Sequence, residues 1–193
     1  LDWSNCLICG PGLLINNKSK KLIESVLKKK NINLILDASG FAPIIKDIAF
    51  MKELSKRTIL TPHYSEFSNI FDISLSEITN NTVQIINKII PILNGRVLIL
   101  KGNPTIICTS KSEIILCNKG TSILSTAGTG DVLSGILGSL LAQGYSIDDA
   151  AKIGVLLHSN AARIFINTKS NRGLMASDLI NLIPESWKVL YES

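Results

Sequence analysis

Residues 125–144 read STAGTGDVLSGILGSLLAQG. The first half is a turn in which Gly128 and Gly130 flank Thr129 and one carboxylate, Asp131, follows directly. The second half is a helix pattern, since Val132, Leu133, Ile136, Leu137, Leu140 and Leu141 recur at helical spacing and Gly144 supplies a stop. A helix starting at Asp131 is therefore predicted. Glycines ahead of it let backbone N–H groups converge on an anion, and the helix adds the positive end of its dipole. Asp131 then has two readings. It caps the helix, or it faces an acceptor hydroxyl and takes its proton while the turn holds a phosphoryl group.

Upstream of this turn, short β-branched runs alternate with helical patterns. The runs are CLIC (6–9), INLILD (32–37), TILT (58–61), RVLILK (96–101), TIICT (105–109) and EIILC (113–117). Helical patterns fill 18–30, 43–56 and about 76–93. Ser74 and Glu77 form a capping box ahead of the last, which Pro91 should kink or end. The alternation predicts an α/β fold, a mostly parallel sheet with helices on both faces. After EIILC the chain reads as helical almost throughout. Ser146 and Asp149 cap a central helix AAKIGVLLHSNAARIF, and a final short helix begins near Ala176.

In 193 residues this amounts to one domain. The apolar fraction of 46% against 18% charged residues excludes a disordered chain. No apolar run is long enough to span a bilayer, and LDWSNCLICGPG lacks the basic leader of a signal peptide, so a cytoplasmic protein with no membrane partner is expected. The net charge of +5 comes largely from KSKKLIESVLKKK (18–30), where Leu22, Ile23, Val26 and Leu27 form one face and the lysines the opposite, wet one. With few aromatics and no nucleic-acid module, no nucleic-acid partner is expected. Cys6 and Cys9 make a lone C-x-x-C inside a strand-like run. No second ligand pair follows at zinc spacing, so all four cysteines read as small hydrophobes.

Ligands of an open parallel sheet collect at the carboxyl ends of its strands. Asp37 ends one strand; His63, Tyr64 and Glu66 follow another; Lys101-Gly102-Asn103-Pro104-Thr105 follows a third; Asn118-Lys119-Gly120 follows a fourth. Singly, each is explained by turn chemistry. Jointly they fall on one sheet edge, which turn chemistry does not require.

The ordered set GPGL (10–13), ILDASGF (35–41), LTPHYSEF (60–67), LKGNPT (100–105), NKG (118–120), TAGTGDVLSGILGSLLAQG (126–144), AAKIGVLLHSNAA (150–162) and GLMASDLINLIPESW (173–187) resembles the ADP/ATP-dependent NAD(P)H-hydrate dehydratases of the ribokinase-like superfamily. The resemblance implies a ribokinase-like domain over residues 1–193. It implies repair of hydrated NADH and NADPH, with ADP or ATP and Mg²⁺, by phosphorylation of the ring hydroxyl and loss of phosphate. It makes Asp131 the base that contacts substrate. Lys101, Gly102, Asn103, Pro104, Thr105, Gly128, Thr129 and Gly130 become nucleotide-binding, and Gly12 and His63 substrate-binding. Asp37, Glu66 and Asn118 are candidates for support, Glu66 either through water on the metal or by fixing its loop. His158, on the central helix, reads as core or as backing to the site.

Two departures stand out. Ser39 occupies the place where the family commonly has a second aspartate, and the chain starts just before GPGL, without the family's earlier strand, loop and helix. A piece so shortened is expected to expose apolar surface and self-associate. An NAD(P)H-hydrate epimerase is the implied functional partner. The rival readings are another ribokinase-like small-molecule kinase, against which LTPHYSEF and KGNPT speak, and a noncatalytic nucleotide-binding remnant.

Overall fold

Three strands, Asn33–Leu36, Thr58–Leu60 and Val97–Leu100, consist almost wholly of buried apolar residues, as strands covered on both faces must. In the computed structural model, which describes residues 4–27, 29 and 32–192, they are the centre of a six-stranded sheet. The strands are β1 (Cys6–Cys9), β2 (Asn33–Leu36), β3 (Thr58–Leu60), β4 (Val97–Leu100), β5 (Thr105–Cys108) and β6 (Ile114–Cys117), and they lie side by side in sequence order. Pairings β1–β2, β2–β3 and β3–β4 are parallel, with Ile8 opposite Ile35 and Ile59 opposite Val97; β4–β5 and β5–β6 are antiparallel, with Leu98 opposite Cys108. The sheet is thus mostly parallel, as expected.

Parallel strands that add in one direction through crossovers of one hand place every crossover on the same face. Here those crossovers carry α1 (Asn17–Leu27), α2 (Ile48–Met51), α3 (Tyr64–Phe71), α4 (Leu75–Asn80) and α5 (Thr82–Leu93). Their buried side chains, among them Ile23, Phe67, Ile78 and Ile86, pack on Leu34, Leu36, Leu60, Leu98 and Leu100. The other strand face presents Ile35, Ile59, Val97 and Ile99, which need their own cover. That cover is α6 (Thr129–Ala142), α7 (Ile147–Thr168) and α8 (Ala176–Tyr191), which is why the sequence turns helical after Cys117. Ser146 caps α7, accepting from Asp149 N at 3.1 Å and donating to Asp149 Oδ2 at 2.7 Å.

Several local expectations are corrected. Of 43–56 only α2 is a regular helix: Lys46 takes a left-handed φ of 56° while its N–H bonds Ile70 O at 3.3 Å, a tertiary tie that interrupts the helix. The 76–93 pattern splits into α4 and α5, because Asn81 leaves helical angles and Thr82 Oγ1 takes Ile78 O at 2.7 Å. Pro91 lies in the last turn of α5, which ends two residues later. Leu22 is exposed, whereas Ile23, Val26 and Leu27 are buried. The final helix is not short: its 16 residues run through Pro184 because Leu179, Leu182, Ile183 and Trp187 hold it on the core. Among the described residues no helix is long and apolar enough to cross a membrane, and all four cysteines are free thiols.

Arg96, just before β4, is buried and clamps two segments together. Its Nη1 donates to Leu93 O at 3.0 Å, and its Nη2 to Leu54 O and, at 3.4 Å, to Lys52 O. Arg96→Met keeps the aliphatic stem and the backbone bond to Leu93 O but takes this donor from Leu54 O and Lys52 O, so urea unfolding should register a loss of about 2 kcal/mol.

Candidate active site

The strand tips set the site. Lys101 N donates to Pro62 O at 2.8 Å and Lys101 bridges to His63 in parallel, so β3 and β4 keep their pairing past their ends. His63 caps α3: its Nδ1 accepts from Glu66 N at 3.2 Å, and its own N–H donates to Glu66 Oε2 at 2.8 Å. Accepting at Nδ1 requires that nitrogen to be unprotonated. Glu66 Oε2 also stands 3.8 Å from Lys101 Nζ. Glu66 thereby completes the capping box of α3.

Asp37, at the end of β2, is a capping residue and also part of a buried ion pair. Its Oδ1 accepts from Ala38 N at 3.0 Å and from Lys101 Nζ at 2.7 Å, while Oδ2 accepts from Ser134 Oγ at 2.9 Å. The Asp37 side chain is 2% exposed and that of Lys101 22%, so the carboxylate is buried and the lysine partly open to solvent.

The Gly-rich turn arrives from the other side. The helix α6 begins at Thr129 rather than at the expected Asp131, with Gly128 as its N-cap at φ 85°, a left-handed conformation that glycine takes without strain. Thr129 turns its hydroxyl inward, donating to Leu124 O at 2.6 Å. No side chain caps this end, and among the described residues the N–H groups of Gly130 and Asp131 meet no acceptor. A Cβ on Gly130 would stand 3.5 Å from Lys101 Nζ, so these free N–H groups and the ammonium share one corner. That corner attracts anions.

His158 on α7 backs the turn. Its Nε2–H donates to Thr129 O at 2.9 Å. Burial drives its pKa down to about 4 from an ordinary 6.5; the bond to Thr129 opposes the shift and Lys101 adds to it. The ring is therefore neutral in the fold near pH 7. Between pH 6.5 and 4 the unfolded chain binds a proton that the folded chain refuses, so stability falls as pH falls through that window. The loss reaches about 3 kcal/mol at its acid end and then levels off. His158→Gln should remove this component, read as the difference between the two proteins' urea midpoints at pH 7 and pH 4.5.

Part of this set lines a cleft of about 410 Å³, which Asp37 and Glu66 do not reach. It brings together His63, Lys101, Gly102, Asn103, Thr105, Thr129 and Gly130, all expected from sequence, and adds His158. Gly102 is demanded by packing, since a Cβ there would lie 2.5 Å from Tyr64 Cε2. Pro104 follows a cis peptide bond at Asn103, and Thr105 Oγ1 closes the loop on Gly102 O at 3.0 Å.

Other expected residues lie elsewhere. Asn118 lines a separate hollow of about 290 Å³ between β6 and α7, with Lys119 and Lys152. Gly12 sits in the loop after β1 at φ 71° and does not line the cleft. Ser39, the departure from the common aspartate, donates to Leu13 O at 2.7 Å and so pins that loop. Asp131 is exposed and, with Gly128, lines a neighbouring apolar groove of about 530 Å³ between α6 and α8, floored by Val132, Ile136, Ile183 and Trp187. The turn thus separates two concavities: Gly130 faces the cleft and Asp131 the groove. Sequence reasoning missed Ser134. Its signal was a small polar residue one helical turn after Gly130, on the same face of an otherwise apolar helix.

A family model described as NAD(P)H-hydrate dehydratase matches residues 1–185. The ADP-dependent (S)-NAD(P)H-hydrate dehydratase of Neisseria meningitidis is 37% identical over 176 residues, 89% of this chain and 58% of that one. The bifunctional NAD(P)H-hydrate repair enzyme Nnr of Dictyoglomus turgidum is 33% identical over 91% of this chain, which spans 34% of that protein. The chain therefore covers about a third of the length of such bifunctional relatives. The Bacillus subtilis ADP/ATP-dependent NAD(P)H-hydrate dehydratase, co-crystallised with ATP/Mg²⁺, superposes with a TM-score of 0.85 at 27% identity, over 98% of this chain and 66% of that one. The expected α/β, ribokinase-like architecture is the one found. With the match running from the first strand through the anion-attracting turn to α8, this chain belongs to the NAD(P)H-hydrate dehydratase family.

Proposed function

We propose that this domain dehydrates (S)-hydrated NADH or NADPH at the expense of ADP or ATP. The observation that carries the reading is the Lys101 ammonium, held 2.7 Å from buried Asp37 and beside the uncapped first turn of α6. A nucleotide's terminal phosphates lie against the Gly130 and Asp131 N–H groups and Lys101, with the 101–105 loop along the cleft wall. The carboxylate of Asp131 takes the proton of the ring hydroxyl while its oxygen attacks the terminal phosphorus. The bond from that phosphorus to the bridging oxygen breaks, and the shortened nucleotide leaves. Phosphate is a far better leaving group than hydroxide. The ring nitrogen's lone pair expels it, and loss of the adjacent C–H proton restores the double bond.

Asp131 and Gly130 are consecutive, so their Cα atoms are only about 3.8 Å apart although they face different concavities. That closeness supports a donor approaching from the cleft and an acceptor hydroxyl from the groove side of the turn. His63, which caps α3 and is exposed where it lines the cleft, suits a substrate contact.

Magnesium fits as the nucleotide's companion. The ion favours one or two carboxylates together with phosphate oxygens and water, and Glu66, with Oε2 3.8 Å from Lys101 Nζ, would be the carboxylate to hold it through such a water. Among the described residues no three His, Cys, Asp or Glu gather to hold a metal by themselves. When bound, the ion neutralises charge developing on the transferred phosphoryl group.

The test is recovery of NADH absorbance from hydrated NADH, supplied with ADP or ATP and Mg²⁺. Turnover dependent on nucleotide supports the reading. Nucleotide binding with no recovery would leave a noncatalytic nucleotide-binding domain, the alternative that Asp131's place on the groove side favours.

A further inference from the structure

Behind the cleft, against buried Asp37, lies a polar side chain that the proposed chemistry leaves without a task. Ser134 lies on α6 one turn beyond Gly130 and is 1% exposed. A serine inside a helix ordinarily turns its hydroxyl back to the carbonyl four residues earlier or out to water. Ser134 does neither, and donates instead to Asp37 Oδ2 at 2.9 Å, across 97 residues of sequence.

We propose that Ser134 is a positioning residue for nucleotide binding: by holding Oδ2 of Asp37 it aims Oδ1 at Lys101 and fixes the ammonium beside the first turn of α6. The inference rests on the nucleotide reading of the cleft given above.

Asp37 is all but fully buried, and its oxygens divide their work: Oδ1 serves Ala38 N and Lys101, and Oδ2 serves Ser134. Removing the hydroxyl takes away the hydrogen bond to the buried Oδ2. The carboxylate then turns to share one partner between two oxygens, since an orphaned buried acceptor is costly. Lys101 moves with it, because the ammonium has a second acceptor at hand in Glu66 Oε2, 3.8 Å away. An ångström of drift is enough to spoil a charge-assisted contact with phosphate. The same bond ties the tip of β2 to α6, so the cation and the N–H groups of the turn are set relative to each other by one carboxylate.

The experiment is a double-mutant cycle on ADP affinity, measured calorimetrically with Mg²⁺ on wild type, Ser134→Ala, Lys101→Met and the double variant. Ser134→Ala should weaken binding about tenfold when Lys101 is present and less than twofold in the Lys101→Met background, because its effect travels through the ammonium. Equal losses in both backgrounds, or no loss in either, would reduce Ser134 to a core residue and overturn the inference while leaving the nucleotide site intact. If Lys101→Met alone leaves ADP affinity unchanged, the nucleotide reading itself fails and the inference falls with it. Should Ser134→Ala fold poorly, the pair Ser134→Thr and Ser134→Val, alike in shape and differing only in the hydroxyl, carries the comparison. Thr is expected to bind ADP near the wild-type level and Val about tenfold more weakly; equal affinities would also overturn the proposal.

Discussion

Asp131→Asn is expected to lower turnover of hydrated NADH by about a thousandfold while nucleotide affinity and folding stay close to wild type. A positioned general base contributes about 10² to 10⁴ in rate, and an amide cannot accept the proton. Asparagine nevertheless keeps the size and shape of the side chain. Asp131 is exposed in the first turn of α6, so the substitution removes only its favourable interaction with the helix dipole; the melting temperature should move by no more than about 2 °C. Single-turnover absorbance measurements at saturating ATP, beside a thermal melt, decide the matter. Turnover above a tenth of wild type would take the base role away from Asp131. A collapse of folding would show that the carboxylate's work is structural.

Lys101→Met is expected to do two things at once. It removes the cation from the anion-attracting corner and leaves Asp37, 1% exposed, with only the Ser134 hydroxyl and one backbone N–H. Breaking a buried pair from one side costs about 3–5 kcal/mol, much of it the penalty of the abandoned charge. For a domain of this size that is a fall in melting temperature of about 10 °C. Adding Asp37→Asn removes that charge and should restore part of the stability, yet restore none of the ADP affinity. The two readouts therefore separate: stability follows the pair, affinity follows the ammonium. Recovery of affinity in the double variant would mean that Lys101 never met the phosphates.

Much of this molecule is written locally. Strand bounds fall within a residue or two of the β-branched runs because a buried parallel strand needs an unbroken apolar stretch and a turn at each end. The polar residues at the strand tips were legible for the same reason: Asp37, His63, Lys101 and the Gly128–Gly130 turn all follow directly on regular elements. Helices were less legible. The 43–56 segment has the apolar spacing of a helix, but the bond from Lys46 to Ile70, 24 positions away, overrides it. Asn118 has the composition of a site residue and follows a strand that ends on the same sheet edge as β4, yet it lines a hollow between β6 and α7, while Gly120, two residues on, lines the cleft.

The amino-acid sequence by itself determined the strands, the mostly parallel character of their sheet and the identity of the turn that gathers anions, because periodicity and turn chemistry act between near neighbours. Only the tertiary structure decided that Asp37 holds Lys101 and Ser134, residues 64 and 97 positions away, and that Gly130 and Asp131 look into different concavities. A side chain's partner is set by where distant backbone segments come to rest, and no local pattern in the chain encodes that meeting.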